Sequence, residues 1–430
     1  MKSFFTVIIL VFLNFFGNAV AQKPTEDFSG DVATDWFQLQ IDIIPTTDGF
    51  TPPVSARALG YSGLTLYEAV VHGSDNYKSL KGKLNEFDKI PEPEKGIYNW
   101  AIVANTAMAE ITSYLYSNTN EVNKFRIKEL TDENYRKHGF RSDERTLKNS
   151  VNYGKSIAKA IYNYSKKDGG HESQFNNFPD SFRLQSGACM WVPVGEQKAL
   201  QPYWGNNRTF IKGVADFHLP PPHNCGIGNS SILYVQALEV YSIGKNLTTE
   251  QKDIAKFWSD DPGTTFTPPG HGVSITNQLI KKEGFDLMKA AEVYCRVGIA
   301  ASDAFISCWK CKYKFSMLRP VTFINTVIDT KWSAYLPNPP FPEYTSGHAT
   351  VSGAIAMVLS DTFGYNYAFM DHSHVNKSYE PRSFENFWDY ANEAAMSRLY
   401  GGIHSRSSNE NGLINGKRIG QAACRLKLKI

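Results

Sequence analysis

The chain has 430 residues, of which 42% are hydrophobic and 20% are charged. This balance excludes a disordered or fibrous protein and provides enough apolar material for a large buried core. The 45 lysine and arginine residues nearly balance the 42 aspartate and glutamate residues, so the formal charge of +3 argues against a nucleic-acid partner.

The first 21 residues have the pattern of a secretory signal peptide. Lys2 gives a basic start, Phe4 to Phe16 form a mostly apolar run, and Ala19-Val20-Ala21 is a small-x-small cleavage site. The run is shorter than the ~20 residues that a spanning helix needs, although an uncleaved anchor is the alternative. We expect cleavage after residue 21 and export of residues 22–430 to the periplasm or the cell exterior, as one domain without a membrane span.

Helical periodicity dominates the rest of the chain. Apolar residues recur at three- and four-residue spacing in Ala58 to Val71, Trp100 to Tyr116, Leu147 to Tyr164, Thr249 to Ser259, Asp286 to Cys311, His348 to Phe363 and Phe384 to Leu399. The prolines and glycines of 175–225 predict a long irregular insert with a short hairpin. The proline-rich stretch 336–342 predicts a rigid extended loop. The sequence therefore predicts a helical protein.

The six cysteines are too few to form the framework of the fold, although export would allow disulfides. Cys308 and Cys311 have the spacing of a redox motif or of half a zinc site, but no second such pair exists. Buried thiols or a local disulfide are the favoured interpretation.

Three short segments in the last third of the chain carry candidate chemistry. Their candidate residues are Lys312, Arg319, Ser346, Gly347, His348, Arg398 and His404. The lysine ends a long helix, and Arg319 precedes a proline-enforced extended stretch. Three cations, a hydroxyl and the amides at a helix start would together form a pocket for a tetrahedral oxoanion. One histidine could bond the central atom and the other could move a proton.

These segments resemble the superfamily shared by the type 2 phosphatidic acid phosphatases and the vanadium-dependent haloperoxidases. Its pattern is Lys, six residues, Arg-Pro, then Ser-Gly-His, then Ser-Arg, five residues, His, and all three parts are present at 312–320, 346–348 and 397–404. The flanking segments 339–344 and 257–271 are more similar to the haloperoxidase branch and its bacterial members. The motif-bearing part of the chain spans about 250–415.

The resemblance implies an all-α fold in which two four-helix bundles in one domain surround a buried oxoanion site. It implies a vanadate cofactor whose oxygens are held by Lys312, Arg319, Ser346, Gly347 and Arg398. His404 would bind vanadium through a ring nitrogen and His348 would be the acid–base group. Phe341 would occupy the aromatic position beside the halide; the alternative is a core phenylalanine next to prolines. The implied reaction is the oxidation of iodide or bromide by hydrogen peroxide to a hypohalous species.

Two other functions fit the same pocket. A secreted acid phosphatase would need no vanadate, since His404 would form a phosphohistidine with a phosphate ester and His348 would protonate the leaving alcohol. A non-catalytic protein would bind phosphate or another oxoanion without turnover.

Two positions depart from the family pattern. Thr345 replaces a proline, with little expected effect. Ser408 stands where the family commonly has an aspartate that orients a neighbouring group, so we expect weaker cofactor binding unless Asn409 or Glu410 substitutes for it.

The remaining histidines are not predicted to be catalytic. His271 is expected in a Pro-Pro-Gly-His turn near the substrate entrance, and His372 and His374 in a polar loop at the rim.

Overall fold

A computed structural model describes residues 22–216 and 219–430, so the predicted signal peptide lies outside the described residues. Within these ranges the chain forms thirteen α-helices and one small sheet. The helices are α1 (Asp31–Ile43), α2 (Pro52–Val70), α3 (Trp100–Leu115), α4 (Glu121–Gly139), α5 (Glu144–Ser165), α6 (Ile232–Lys245), α7 (Thr249–Phe257), α8 (Thr267–Glu283), α9 (Leu287–Phe315), α10 (Pro320–Val327), α11 (Gly347–Phe363), α12 (Phe387–Tyr400) and α13 (Arg406–Cys424). Strands β1 (Phe369–Asp371) and β2 (Arg382–Phe384) pair antiparallel, with Phe369 opposite Phe384.

Helix α9 is the centre of the molecule. It has 29 residues, is capped by the Asp286 side chain, and is buried along most of its length. It packs against α2 on the N-terminal side of the chain and against α11 on the C-terminal side. The α2 contact is very close, because a Cβ added to Gly63 would lie 2.5 Å from the Tyr294 carbonyl oxygen. Helix α9 therefore joins two groups of helices, and its C-terminal end carries Lys312.

The N-terminal group consists of α1 to α5. Helix α3 packs against α2, α4 and α5, and these contacts bury most of its side chains. Helix α5 is amphipathic and turns one stripe, including Ile157 and Ile161, to the core. This group contacts α9 through α1 and α2.

The C-terminal group carries most of the candidate motifs. Helix α11 packs against α9, α12 and α13, and is buried along nearly all of its length. Small residues allow the contact with α13, since a Cβ added to Gly416 would lie 2.1 Å from the Thr350 carbonyl oxygen. Ser346 caps the start of α11, so the Ser-Gly-His segment lies at a helix N-terminus as predicted.

The all-α prediction is confirmed, and all seven predicted helices form with shifted ends. Two local predictions at prolines were wrong, and so was the short hairpin predicted within 175–225. Arg319 has an extended backbone, but Pro320 begins helix α10, since proline fits the first helical turn. The Pro-Pro-Gly-His segment lies inside α8 for the same reason, with its prolines in the first turn.

The described part of 175–225 is irregular and contains 3-10 turns but no hairpin. A disulfide between Cys189 and Cys225 closes this insert. Cys308 and Cys311 are free and buried, as the favoured interpretation predicted. Among the described helices, none combines the length and apolar character that crossing a bilayer would require.

Candidate functional site

A cavity of about 310 Å³ opens where the ends of α9, α11 and α12 meet the proline-rich loop. Five of the predicted site residues line it, namely Phe341, Gly347, His348, Arg398 and His404. Aromatic and proline side chains, including Phe305 and Trp309, form much of the rest of the wall. This combination of an apolar wall and a few convergent polar groups is typical of a small-molecule site.

Lys312, Arg319 and Ser346 lie directly behind that wall. Nη1 of Arg319 lies 3.3 Å from Nε2 of His404, and its Nε donates to the Phe341 carbonyl at 2.9 Å. Nζ of Lys312 donates to the Pro342 carbonyl at 2.9 Å and lies 4.9 Å from the centre of the Phe341 ring. The predicted site residues, which span 93 positions of sequence from 312 to 404, thus meet around one cavity.

The three cations are almost completely buried. Lys312 and Arg319 have no exposed surface, and Arg398 is 3% exposed. Burial lowers the pKa of Lys312 to about 7 and the pKa of each arginine to about 10. Glu343, Asp260 and Asp261 partly offset these charges, but among the described residues none of the three cations makes a direct ion pair. Buried cations without direct partners are costly, so the pocket favours binding of an anion.

Two buried donors beside the cavity, Nη2 of Arg319 and Nε of Arg398, have no hydrogen-bond partner. The buried Nε2 of His348, which carries a lone pair in the neutral ring, also has none. The first backbone N–H groups of α11, at Gly347 and His348, also have no acceptor within the helix. Buried donors are normally paired, so this set of donors fits a bound oxoanion, which would accept from all of them. The residues present therefore suit vanadate or phosphate.

His404 is held by a carboxylate that the sequence interpretation did not identify. Oε1 of Glu343 lies 3.1 Å from Nδ1 of His404 and accepts from the backbone N–H of Ser405 at 2.9 Å. Both side chains are buried. Burial, with Arg319 and Lys312 nearby, keeps the pKa of His404 well below its usual range. The neutral ring then carries its proton on Nδ1, and Nε2 keeps a lone pair.

Neither Asn409 nor Glu410 substitutes for the missing aspartate, which was the alternative to weaker cofactor binding. Glu410 is exposed, and both polar atoms of the buried Asn409 side chain lack a hydrogen-bond partner. Ser408 does reach the site, since its Oγ lies 3.4 Å from Nδ1 of His404. The carboxylate comes instead from Glu343, on the loop before α11. The available signal in the sequence was the position of this glutamate, between the prolines and the Ser-Gly-His segment. An acidic residue that is buried beside a predicted site needs a partner there.

His348 and Arg398 share a backbone partner. Nη1 of Arg398 donates to the Trp258 carbonyl at 2.6 Å, and the His348 ring also hydrogen-bonds to the Trp258 backbone. Burial and then the Arg398 charge keep the pKa of His348 well below its usual range. His348 is therefore a neutral group that can accept a proton at the cavity.

Two histidines that were expected near the surface are buried. His271 lies in α8 between Asp260 and Asp371, and His374 contacts Asp260. Neither lines the cavity, whereas Asp260 and the neighbouring Asp261 do.

Sequence comparison matches this chain to a family model and to a known protein. A family model described as the VCPO second helical-bundle domain matches residues 325–430. The vanadium chloroperoxidase of Curvularia inaequalis is 22% identical over 83% of this chain and 74% of its own length.

Two solved structures from bacteria are similar over almost the whole chain. A bacterial vanadium-dependent iodoperoxidase is 31% identical, with a TM-score of 0.84 over 95% of this chain and 99% of its own. The holo form of a bacterial vanadium-dependent chloroperoxidase has a TM-score of 0.69 and 18% identity over 94% of this chain and 96% of its own. The second likeness supports the fold alone.

Proposed function

The chain belongs to the vanadium-dependent haloperoxidase family, whose members are oxidoreductases that act on peroxide, and we propose that it uses hydrogen peroxide to oxidise iodide. The observation that carries the halide assignment is the 31% identity to the bacterial iodoperoxidase over nearly the full length of both chains. Iodide is also the halide that is most easily oxidised, so it makes the smallest demand on the site. Bromide is the second substrate that we expect.

The residues fit a vanadate cofactor. Lys312, Arg319 and Arg398 would offset its charge, the amide of Gly347 and the hydroxyl of Ser346 would bind its oxygens at the start of α11, and Nε2 of His404 would bind vanadium. When bound, vanadate supplies an electron-poor centre that makes hydrogen peroxide reactive toward a halide while the metal keeps its oxidation state.

The chain's own groups prepare the chemistry around that centre. Glu343 accepts a hydrogen bond from the Nδ1–H group of His404, so the lone pair of Nε2 points away from the carboxylate and toward the Arg319 side of the pocket. Nε2 of His348 is buried, has no partner and borders the cavity, so it can take a proton from hydrogen peroxide as the peroxide enters.

Phe341 forms the wall at which we propose that the halide approaches. Nζ of Lys312 and Cζ of Arg319 each lie 4.9 Å from the centre of its ring. A polarisable halide would therefore approach an aromatic face backed by two buried cations, which partly offset its negative charge.

We also propose that the protein is exported, since residues 1–21 have the signal-peptide pattern. The Cys189–Cys225 disulfide supports this proposal, because disulfides persist in oxidising compartments. The test is N-terminal sequencing of the protein from cell fractions. A mature N-terminus at Gln22 in the periplasm or medium is expected, whereas retention with Met1 intact would contradict it.

The test of function uses purified protein stripped of anions. Iodide and bromide oxidation by hydrogen peroxide are measured with and without added vanadate, beside hydrolysis of a generic phosphate monoester. We expect vanadate-dependent iodide oxidation that is lost in His404→Ala. The exposed His372 provides the matched control, and His372→Ala should keep full activity.

The other outcomes discriminate between functions. Phosphate release that vanadate inhibits, without halide oxidation, would identify a phosphatase. Vanadate binding without turnover in either assay would identify a binding protein.

A further inference from the structure

Four buried side chains, one of which belongs to the cavity residue Asp260, are joined by hydrogen bonds. Nδ1 of His271 lies 2.9 Å from Oδ2 of Asp260, and its Nε2 lies 2.8 Å from Oδ2 of Asp371. Nε2 of His374 lies 3.1 Å from the other carboxylate oxygen of Asp260. We name these four residues the His–Asp network. All of its members are at least 98% buried.

His271 is a protonated imidazolium. Both ring nitrogens face carboxylate oxygens at hydrogen-bond distance, so both must carry protons. Burial alone would lower the pKa of His271, but Asp260 and Asp371 together raise it to about 10. Asp260, His271 and His374 also have the chemistry of metal ligands. However, the contacts of 2.9 Å and 3.1 Å are those of direct hydrogen bonds, which account for the arrangement with protons alone.

The His271 ring also fixes Trp258. The indole stacks on the imidazolium with ring centres 4.4 Å apart and planes at 21°. At its other end, the indole Nε1 donates to Glu393 at 2.9 Å. Two residues later, Asp260 has a left-handed backbone with φ of 47°, an unfavourable conformation that the network holds in place. The segment 258–260 is thus fixed by the side chains of Trp258 and Asp260.

The fixed segment places one backbone carbonyl in the active site. The Trp258 carbonyl accepts from Nη1 of Arg398 at 2.6 Å and pairs with the His348 ring. These are an oxoanion-binding cation and the proposed acid–base group. A shift of this carbonyl would turn both of them away from the cavity.

We propose that His271 is a positioning residue for the oxoanion site: held between Asp260 and Asp371 and stacked on Trp258, it sets the Trp258 carbonyl that orients Arg398 and His348. The inference rests on the proposed function for its effect on catalysis, but its effect on anion affinity does not require turnover. His271 contacts neither the cavity nor the predicted vanadium ligand His404, so its role is indirect.

The experiment compares His271→Gln and His271→Phe with the matched control His372→Gln, whose histidine is exposed in the adjacent loop. Vanadate affinity is measured by calorimetry on protein stripped of anions. We expect about 10- to 100-fold weaker binding in both His271 variants, the range found for groups that orient a metal ligand, and no change in the control. The pH profile of kcat/KM for hydrogen peroxide should also shift, with the KM for iodide unchanged.

Asp371→Asn tests the same link if the His271 variants fail to fold. This variant keeps the shape of the side chain and removes one charge, so we expect a smaller loss of vanadate affinity in the same direction. Unchanged affinity and an unchanged pH profile in any folded variant would overturn the inference. One equivalent of zinc in the wild-type protein would also overturn it, because His271 could not then carry both protons.

The failures of the two proposals are distinguishable. Wild-type protein that binds vanadate but oxidises no halide would contradict the proposed function and leave the affinity comparison decisive for His271. Wild-type protein that binds neither vanadate nor inorganic phosphate would contradict both.

Discussion

Oε1 of Glu343 lies 3.1 Å from Nδ1 of His404, although the two residues are 61 positions apart in sequence. The same carboxylate oxygen accepts hydrogen bonds from the backbone and the hydroxyl of Ser405. Burial raises the pKa of Glu343, while those hydrogen bonds and the charges of Arg319 and Lys312 favour its ionised form. Glu343 thereby fixes both the tautomer and the direction of the ring that would bind vanadium.

Glu343→Gln should therefore weaken vanadate binding by about 10- to 100-fold, because a neutral amide is a poorer acceptor for the Nδ1 proton. The measurement is vanadate affinity by calorimetry, with Glu410→Gln as the control because Glu410 is exposed. An unchanged affinity in Glu343→Gln would show that the orientation of His404 is set by Ser408 instead.

The sequence could not identify Glu343 for a physical reason. The family pattern places the orienting carboxylate at position 408, which is four residues after His404 and therefore close to it by local geometry. Glu343 is close only because the loop before α11 folds over the start of α13. The His–Asp network was not predictable from the sequence for the same reason, since Asp260 and Asp371 are separated by more than 100 positions and no local pattern connects them.

The fold was predictable where an apolar stripe marks a helix. Helix α5 is such a case, whereas α4 buries only Asn123, Ile127, Asn134 and Gly139 and has almost no stripe. Helix α13 was missed because it meets α11 through glycines rather than through large apolar residues. The motif residues were predictable as a set, because they share one chemistry, the binding of an oxoanion.

Anion affinity should depend on the protonation of Lys312. Burial places its pKa at about 7, so above that pH the pocket loses one of its three cations. We expect sulfate affinity, measured by calorimetry, to fall by up to about tenfold per pH unit above pH 7, the limit for one proton taken up on binding. Sulfate is the probe because its own charge is constant in this range.

Lys312→Arg provides the comparison, since arginine stays protonated at these pH values. The variant should bind sulfate with little dependence on pH between 7 and 9. Equal slopes in the variant and the wild type would assign the pH dependence to another group.

The contact between α11 and α13 should not tolerate a larger residue. A Cβ at position 416 would lie 2.1 Å from the Thr350 carbonyl oxygen, so Gly416→Ala must push the two helices apart. We expect a loss of about 1 to 3 kcal/mol in the free energy of unfolding, the usual cost of overpacking, measured in urea. Gly228→Ala is the control, because its Cβ would meet no atom within 4 Å.

The His–Asp network should also make stability depend on pH. His271 has a pKa near 6.5 in the unfolded chain and about 10 in the folded protein, so its contribution is complete below about pH 6.5 and is lost as the pH rises through about 10. Pairing with His271 lowers the pKa values of Asp260 and Asp371 despite their burial. These two carboxylates therefore stabilise the folded protein above their ordinary pKa of about 3.9 and lose that contribution in acid.

The difference in the free energy of unfolding between the wild type and His271→Gln should thus be largest between about pH 4 and 6.5 and narrow toward pH 10. Urea unfolding at pH 6 and pH 9.5 measures this difference. A difference that stayed constant would mean that His271 is neutral in the folded protein and that its two carboxylate contacts do not both carry a proton.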